Sequence, residues 1–566
     1  MRQLWRWAIV LLLGLGALPL AACTLNPPRI VAIVPGQGAQ EVATNQEVRI
    51  TFDRAMNHDS VERRFVLTPS LAACGGSKPC HFAWNNNTLV FIHDNVSFDL
   101  STTYTVSLHA GYADSSGQTN TLEHSWRFTT EGRPTLASVD PADNASAVAP
   151  DRNIVLSFSR PMQPDTLRTA IQLTPDTPFF VRTRPGGDTS QFEIIPLSVL
   201  KPDQSYTVSI EGALDTHQNS TYGRIESRFK TGGLSLARRV GYLIGQRGEP
   251  AFGVAIVDPH PDSFLNRSTP KILYGLNPEE RLSSAILSFD WSPDGRRLVL
   301  VLAPRGAGEG RLEIVTLASG QVSSPGASGS EVLWSPDGSS IVYLTHGNLR
   351  RYLPLTGQDL AITNEGNVQT SVAISPDGTN VAYSATDQGT SHLWIRNLSL
   401  LTRFRPIGLE DPADHPAWSP DGNKLAFRRL TASGPELWVY DLTATGSNAY
   451  RRAGPLDLAG AAWLNDNSTL IAGVGSGTDG ALYRVNIFAA GEAGGLVKVT
   501  GGKEAPNGSN PSAPTYDRRV SFVGTIDGVP QVFLMNGDGS RPQQLTEWAV
   551  DFPYTGQDPN WTTVGG

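Results

Sequence analysis

A short turn recurs five times in the second half of this chain, each time directly after an aromatic or aliphatic residue. The copies are Trp291-Ser-Pro-Asp-Gly295, Trp334-Ser-Pro-Asp-Gly338, Ile374-Ser-Pro-Asp-Gly378, Trp418-Ser-Pro-Asp-Gly422 and the altered Trp463-Leu-Asn-Asp-Asn467. Their first residues are 43, 40, 44 and 45 positions apart. A period of roughly 40–50 residues built from short strands is typical of propeller blades. The spacing therefore predicts a β-propeller, a scaffold that does not by itself imply a particular chemistry.

The turn has a mechanical explanation. Proline presets φ at the second turn position, serine starts the turn, and glycine tolerates the exit conformation. The repeated carboxylates could bind a cation or ligand, or they could accept hydrogen bonds from nearby backbone. Repetition in nearly every copy favours the second, structural role for Asp294, Asp337, Asp377 and Asp421.

The two ends of the repeat region each contain part of a blade. Pro559-Asn-Trp561 has the pattern of a first strand, whereas the strands at 239–244, 252–257 and 271–274 have no tryptophan strand before them. Joining the two ends completes one blade and removes the exposed sheet edge. We therefore predict seven blades over 234–566, six of them contiguous and one shared. These repeats resemble the WD40-like repeats of the TolB propeller family.

A second repeat occupies 31–131 and 132–233. Six residues of the first copy recur 106 positions later, and the segment Tyr104-Thr-Val106 recurs 102 positions later. The six residues are Pro35, Val42, Val48, Ile50, Phe52 and Met56. Their alternation with polar residues predicts half-buried strands, and copies of about 100 residues indicate an immunoglobulin-like sandwich. The pattern resembles bacterial Ig-like domains of the SbsA type. The whole chain is thus expected to be all-β.

Two cysteines, Cys74 and Cys80, lie in a stretch where the first copy is four residues longer than the second. Outside the cytoplasm, an isolated close pair most simply forms a disulfide that closes a short loop. Two free thiols are an alternative. A metal site is another, but its one neighbouring candidate ligand, His81, is not at a recognised spacing.

The N-terminal segment 1–23 has the features of a signal peptide. Arg2 and Arg6 precede an apolar run, 8–18, that is too short to span a bilayer comfortably. Leu20-Ala-Ala-Cys23 resembles the bacterial lipobox, which implies that Cys23 is lipidated and becomes the mature N-terminus, followed by a tether over 24–30. Several acyl chains on one residue give stable anchoring to the extracytoplasmic face of a bacterial membrane. The alternative is an ordinary secretory signal with an incidental cysteine.

Composition and motifs narrow the function further. The formal net charge is −8 and no basic cluster appears, which argues against nucleic acid as a partner. The chain lacks Gly-x-Ser-x-Gly and His-Glu-x-x-His, so we predict no catalytic residues, metal or cofactor. His392 and His415 are scattered histidines in blades 4 and 5 that could approach a face or the channel.

The favoured hypothesis is a monomeric, membrane-anchored binding or scaffold protein. Its Ig-like domains would form a stalk, and its propeller would present loops and a channel mouth to an envelope protein or glycan. One alternative is an envelope enzyme, a glycan lyase or hydrolase, whose carboxylates converge at the channel mouth. Another is an envelope-assembly role resembling that of TolB, although a shared fold does not carry function with it.

Overall fold

The computed structural model describes residues 26–74, 80–184, 189–259, 270–369, 371–406, 410–475, 479–488, 495–501, 506–546 and 554–562. The chain divides into two compact units, Met1–Pro134 with Leu214–Thr221, and Thr135–Ala213 with Tyr222–Gly566. The expected signal peptide and Cys23 lie outside the described residues. The fold is all-β, as predicted.

The first unit contains a sandwich of two four-stranded sheets, with strand orders β1-β3-β6-β5 and β2-β8-β7-β4. The strands are β1 (Ile30–Val34), β2 (Ala39–Val42), β3 (Val48–Phe52), β4 (Phe65–Thr68), β5 (Cys80–Asn85), β6 (Thr88–His93), β7 (Thr103–Leu108) and β8 (His124–Thr130). One short helix, α1 (His58–Glu62), and a 3₁₀ turn (Ala72–Cys74) interrupt them.

The alternating residues of the first repeat build the core of this sandwich. Val48, Ile50 and Phe52 on β3 are all buried, because successive residues of a strand point to opposite faces of the sheet. The Cys74 and Cys80 side chains are joined by a disulfide, with 5.2 Å between their Cα atoms. This bond links the 3₁₀ turn to the start of β5.

The second unit begins with a matching sandwich, whose sheets have the orders β13-β14-β11-β9 and β10-β16-β15-β12. Its elements are β9 (Leu136–Asp140), β10 (Ala145–Val148), β11 (Ile154–Phe158), α2 (Pro164–Ala170), β12 (Ile171–Thr174), β13 (Phe179–Thr183), β14 (Gln191–Pro196), β15 (Ser205–Glu211) and β16 (Arg224–Thr231). Its core repeats that of the first sandwich, since Ile154, Leu156 and Phe158 are buried in place of Val48, Ile50 and Phe52.

Seven sheets follow within the same unit and form the blades of the propeller; six have four strands and one has five. Blade 1 contains β17 (Val240–Gln246), β18 (Ala251–Val257), β19 (Lys271–Gly275) and β45 (Tyr554–Trp561), which pairs with β17. Helix α3 (Glu280–Ser283) leads into blade 2, which contains β20 (Ser284–Trp291), β21 (Arg297–Pro304), β22 (Gly310–Thr316) and β23 (Gln321–Ser323), with the short β24 (Ser328–Gly329) beside β22.

The next three blades follow the chain without interruption. Blade 3 has β25 (Glu331–Trp334), β26 (Ile341–Thr345), β27 (Asn348–Leu353) and β28 (Gln358–Ala361). Blade 4 has β29 (Ala373–Ile374), β30 (Asn380–Asp387), β31 (Thr390–Asn397) and β32 (Arg403–Phe404). Blade 5 has β33 (Ala413–Trp418), β34 (Lys424–Thr431), β35 (Gly434–Asp441), a 3₁₀ turn (Gly446–Ala449) and β36 (Tyr450–Gly454).

Two further blades complete the series. Blade 6 has β37 (Leu458–Trp463), β38 (Thr469–Val474), β39 (Ala481–Asn486) and β40 (Leu496–Lys498). Blade 7 has β41 (Gly508–Ser512), β42 (Arg519–Ile526), β43 (Val529–Asn536) and β44 (Gln543–Gln544). Among the residues that the structure describes, none of the helices is long and apolar enough to cross a bilayer.

Tryptophans at the ends of inner strands link four of the blades to the blade before them. In four blades the indole N–H donates to a carbonyl oxygen of the preceding inner strand, at 3.0 to 3.4 Å. The pairs are Trp291 with Asn560, Trp418 with Ala373, Trp463 with Ala417, and Trp561 with Ser512. A residue that the hydrophobic pattern places at the end of an inner strand therefore also forms a hydrogen bond between blades.

The shared blade is held by side chains as well as by strand pairing. Asp290, on the inner strand of blade 2, accepts from the backbone N–H of Trp334 at 2.7 Å and from the side-chain amide of Asn560 at 2.9 Å. Burial raises the pKa of Asp290 to about 6 although these bonds oppose the rise. One carboxyl group thus contacts blades 1 and 3 at once.

The second sandwich is joined to blade 1 of the propeller. Lys271 on β19 is buried, and its ammonium group donates to the side chain of Asn153 at 2.6 Å and to the carbonyl of Pro196 at 2.8 Å. Burial lowers the pKa of Lys271 to about 7. The backbone N–H of Ile272 also bonds to Leu197, so the joint combines strand-like and side-chain contacts.

Candidate binding site

The Ser-Pro-Asp-Gly turns use their polar groups internally. In blade 3 the Ser335 hydroxyl donates to the Asp337 carboxylate at 2.6 Å and accepts from the N–H of Ser340 at 2.9 Å. Burial tends to raise the pKa of Asp337, but hydrogen bonds from Ser335 and Ser339 outweigh it, so that the pKa is lowered. The same serine–aspartate bond forms at Ser292–Asp294, Ser375–Asp377 and Ser419–Asp421.

Blades 6 and 7 build this turn from different residues. In blade 6, Leu464 stands where the serine is in the other copies, and Asp466 accepts directly from the N–H groups of Ser468 and Thr469, at 2.8 and 2.7 Å. In blade 7, Asp517 accepts from the guanidinium of the nearby Arg519 at 2.7 Å. Where the sequence differs from the repeated motif, the turn is therefore also stabilised by different hydrogen bonds.

An open cavity of about 450 Å³ lies beside these two altered turns. Blade 6 contributes Leu464, Asp466, Thr469 and Arg484, and blade 7 contributes Asn536, Asp538, Gly537 and the turn residue Arg518. Its volume falls within the roughly 300–1,000 Å³ range of small-molecule sites. Because most of its lining side chains are charged or amide groups, the cavity suits a polar ligand.

Two carboxylates and two guanidinium groups dominate the electrostatics of this cavity. Hydrogen bonds from the Ser540 side chain and backbone lower the pKa of Asp538, and Arg484 lowers it further. Burial tends to raise the pKa of Asp466, but bonds from Ser468 and Thr469 outweigh it and the pKa is lowered. Both acids are thus ionised at neutral pH. Within the described ranges, the side chains of Arg484 and Arg518 form no ion pair and are available to a ligand.

His415 lies at the opposite end of its inner strand from the Ser-Pro-Asp-Gly turn. Strand β33 carries an irregularity between Asp414 and Ala417, and His415 adopts φ 53° there. Its Nδ1 is 2.9 Å from Asp414, which also accepts two bonds of 2.7 Å from Arg428. Burial tends to raise the pKa of Asp414, but the bonds from His415 and Arg428 outweigh it and lower the pKa to about 2. This cluster is an ion-pair network near the start of the inner strand of blade 5.

The other residues singled out in the sequence lie apart. His392 is on β31, opposite Ala385 on β30, and it is not brought together with His415. The aspartates of the four intact turns remain one to a blade. Within the described parts of the chain, no three His, Cys, Asp or Glu side chains come together in a way that could hold a metal ion.

Arg484 and Arg518 were not among the residues that the sequence indicated. The sequence could have indicated them through the missing motif at 464–467 and again at 517–519. Two neighbouring blades lack the repeated turn there, so they present different side chains at that position. Departures from a regular pattern are expected to mark functional or strained positions.

Known proteins resemble the two halves of the chain separately. The family described as the bacterial Ig-like domain matches residues 25–130 and 131–231. The Tol-Pal system protein TolB of Anaeromyxobacter dehalogenans (strain 2CP-C) is 31% identical over 93 residues, which are 16% of this chain and 21% of that protein. The protein of the same name from Anaeromyxobacter sp. (strain K) is 29% identical over 91 residues, with the same coverage. The chain thus spans about a fifth of the length of these relatives.

Some solved structures show a distant similarity to this chain. A putative TolB from Agrobacterium tumefaciens is 18% identical, with a TM-score of 0.33, and covers 44% of this chain and 97% of that one. TolB from Acinetobacter baumannii is 15% identical with a TM-score of 0.34, covering 69% and 83%. An oligogalacturonate lyase from Vibrio parahaemolyticus is 14% identical with a TM-score of 0.35, covering 46% and 77%.

These similarities, with the strand topology, define the class of protein. It is an all-β protein in which two regions match the bacterial Ig-like domain family and a seven-bladed propeller follows, and the chain is similar to TolB over 93 residues, so both resemblances inferred from the sequence are confirmed.

Proposed function

We propose that this chain is a membrane-anchored, extracytoplasmic binding protein whose propeller binds an envelope protein or glycan at the cavity between blades 6 and 7. The observation that carries this proposal is the cavity lining. Arg484 and Arg518 line it without an ion pair among the described residues, beside the ionised carboxylates of Asp466 and Asp538. Charged groups of both signs in one concave site favour a ligand that both donates and accepts hydrogen bonds.

The acid–base properties support binding over catalysis. A general acid or base works best when its pKa is near the working pH. The pKa values of Asp466 and Asp538 are lowered instead, and that of Asp414 on the inner strand of blade 5 is about 2. These carboxyl groups suit fixed acceptors. The alternative of a glycan lyase or hydrolase would need a group of higher pKa.

The envelope setting is supported by the N-terminal sequence and by the relatives. Leu20-Ala-Ala-Cys23 places a cysteine at the cleavage point of a signal peptide, and the Ig-like domains come between this cysteine and the propeller in the chain. The similar proteins from Anaeromyxobacter carry the name Tol-Pal system protein. In this proposal Cys23 is the lipid anchor and the Ig-like domains are the stalk of a monomer.

The anchor is tested by Cys23→Ser. The variant should remain unprocessed and unlipidated, or leave the membrane fraction, because the acyl chains would be missing. Detergent phase partitioning and intact mass would compare it with the wild type. A variant that partitions and weighs like the wild type would remove Cys23 as the anchor.

Binding is tested by the double variant Arg484→Gln, Arg518→Gln in the full-length protein. In a pull-down from an envelope extract, the double variant should fail to retain one or more of the proteins or glycans that the wild type retains, because the two guanidinium groups of the cavity are gone. Arg296→Gln, in the regular turn of blade 2, is the matched control and should retain them. If the double variant captures the same proteins and glycans as the wild type, the cavity is not the binding site.

A further inference from the structure

The outer half of blade 4 gathers three arginines around one tryptophan. The guanidinium carbons of Arg403 and Arg405 are 4.4 and 4.7 Å from the centre of the Trp394 ring. Arg396 lies two residues beyond Trp394 on β31 and pairs with Arg403 across to β32. Since residues two apart on a strand share a face, Trp394 and Arg396 lie on the same side of the sheet.

Several hydrogen-bond donors of this cluster are buried without an acceptor. They are the hydroxyl of Tyr383, one terminal nitrogen of Arg396 and Nε of Arg405. Tyr383 is 1% exposed and pairs with Trp394 across β30 and β31. Burial raises the pKa of Tyr383, and the charge of Arg396 and a side-chain interaction with Arg403 oppose the rise. Buried polar groups almost always find a partner, so a set of orphaned donors on one face calls for an acceptor.

The ion pairs of the cluster are unevenly shared. Glu365 binds Arg403 at 3.0 Å and also interacts with the charge of Arg396, whereas Asp387 lies 3.6 Å from Arg405. Burial, and then the charge of Arg405, lower the pKa of His392 although Asp387 and Glu410 oppose this, so the histidine is neutral at pH 7. Among the described residues, the three guanidinium groups thus form ion pairs with two carboxylates. The side chains of Arg403 and Arg405 are 39% and 30% exposed, which leaves the cluster within reach of solvent.

Blade 5 also places an arginine opposite a tryptophan of its third strand, but there the arginine is paired with a carboxylate. Trp438 stands 44 positions after Trp394, and it pairs with Arg452 on the next strand. In blade 5 the position of His392 is occupied by Glu436, whose carboxylate accepts from the Trp438 indole at 2.8 Å and from Arg452 at 3.0 Å. The Glu436 carboxylate thus neutralises Arg452, the arginine opposite Trp438. Phe427, which has no hydroxyl, stands opposite Trp438 where Tyr383 stands opposite Trp394 in blade 4.

We propose that blade 4 binds an external oxoanion, a carboxylate or phosphate group, through Tyr383, Arg396 and Arg405, and that this group neutralises Arg405 beside Trp394 as the Glu436 carboxylate neutralises Arg452 beside Trp438. The planar guanidinium fork matches both groups geometrically, and charge-assisted hydrogen bonds are the strong ones. The exposed edges of Arg403 and Arg405 are the approach for a ligand that carries such a group. This site is separate from the cavity between blades 6 and 7.

The test is anion-dependent thermal stabilisation of the full-length protein. Sodium phosphate and sodium acetate are titrated separately, each against sodium chloride at equal ionic strength, so that the two arms distinguish a phosphate from a carboxylate ligand. A ligand that binds the folded state alone raises the melting temperature in a saturable manner. Saturable stabilisation by one probe beyond the chloride curve is expected. Curves that coincide with chloride for both probes would overturn the proposal.

Two variants assign the effect to blade 4. His392→Glu supplies the internal carboxylate of blade 5 and should raise the apparent Kd of the probe by about tenfold or more. Tyr383→Phe removes only a hydroxyl, so it tests the site even if the first variant folds poorly, and it should also weaken binding. Glu436→Gln is the matched change in blade 5 and should leave the blade 4 response intact. If His392→Glu leaves the Kd of the probe unchanged, the site is not in blade 4. If His392→Glu does not fold, an unchanged Kd in Tyr383→Phe leads to the same conclusion.

Discussion

Blades 2 to 5 close their inner turns with a serine–aspartate bond, whereas blades 1, 6 and 7 are completed in other ways. Blade 1 takes its inner strand from residues 554–561, and blades 6 and 7 use turns without the serine. The inner turns of the regular blades use their polar groups internally, so little remains in these turns for a ligand. In the irregular blades the altered residues close the ring or line the cavity. A turn with the serine–aspartate bond therefore has a structural role, whereas a blade without this turn either closes the ring or lines the candidate cavity.

The largest effect should follow from breaking the shared blade. Trp561 is 5% exposed and its indole bonds to blade 7 at 3.1 Å, so Trp561→Ala removes core contacts and a hydrogen bond between blades. Truncation of a buried tryptophan costs roughly 3–5 kcal/mol. Urea or thermal unfolding should show a much less stable propeller, while Leu355→Ala, at a 93% exposed position, should change little. An unaltered unfolding curve would mean that β45 does not hold the ring closed.

Asp290 should make ring stability depend on pH. Its pKa is about 6 in the folded protein against 3.8 for an ordinary aspartate, so the folded state binds the proton more tightly. Protonated Asp290 therefore stabilises the folded state. This stabilisation is complete below about pH 4, is lost as the pH rises through 6, and is on the order of 2–3 kcal/mol in total.

Asp290→Asn should therefore flatten the dependence of unfolding free energy on pH between 4.5 and 7. Asp527→Asn, at an exposed turn position, is the control and should retain the dependence of the wild type. Parallel curves for Asp290→Asn and the wild type would show that this carboxyl group does not couple the closing blade to its neighbours.

A smaller effect tests the regular turns. Ser335 is 1% exposed and bonds both Asp337 and the N–H of Ser340, so Ser335→Ala leaves buried groups without a partner. The expected loss is about 1–3 kcal/mol. Chemical denaturation would measure it, with the exposed Ser399→Ala as reference. A loss no greater than that of the reference would assign the turn serine no structural role.

The smallest effect on stability should come from the cavity of blades 6 and 7. Arg484→Gln with Arg518→Gln removes side chains that form no ion pair among the described residues, and surface changes of this kind usually stay within about 0.5 kcal/mol. Melting curves of the double variant should therefore overlay those of the wild type even where binding is lost. A clearly lower melting temperature would give these arginines a structural role and weaken the contrast between regular and irregular blades.

The sequence was informative wherever a repeat constrained it. The period of the turn motif predicted the blades, the orphan strands at both ends predicted the pairing of β17 with β45, and the alternation at Val48, Ile50 and Phe52 predicted a sandwich. These features depend on local pattern and on the need to bury apolar faces, which a sequence displays directly.

The candidate sites depend on register between distant strands and could not be read in the same way. Arg484 and Arg518 meet because blades 6 and 7 stack, and Tyr383 meets Trp394 and Arg405 because three strands align. Without an observed register, the side chains of His392 and His415 could not be assigned to a strand position or to the channel.

The pairing of β17 with β45 has a consequence for the time course of folding. The backbone N–H of Arg239 bonds to the Thr562 side chain across 323 residues of chain. Each doubling of loop length adds about 0.6 kcal/mol of closure entropy, so this contact costs about 2 kcal/mol more to form than one between adjacent blades. Contacts of such long sequence separation slow folding. The inner strand of blade 1, β45, is therefore synthesised only after the other six blades. Until β45 pairs with it, β17 is an exposed sheet edge to which strands of other chains can bind.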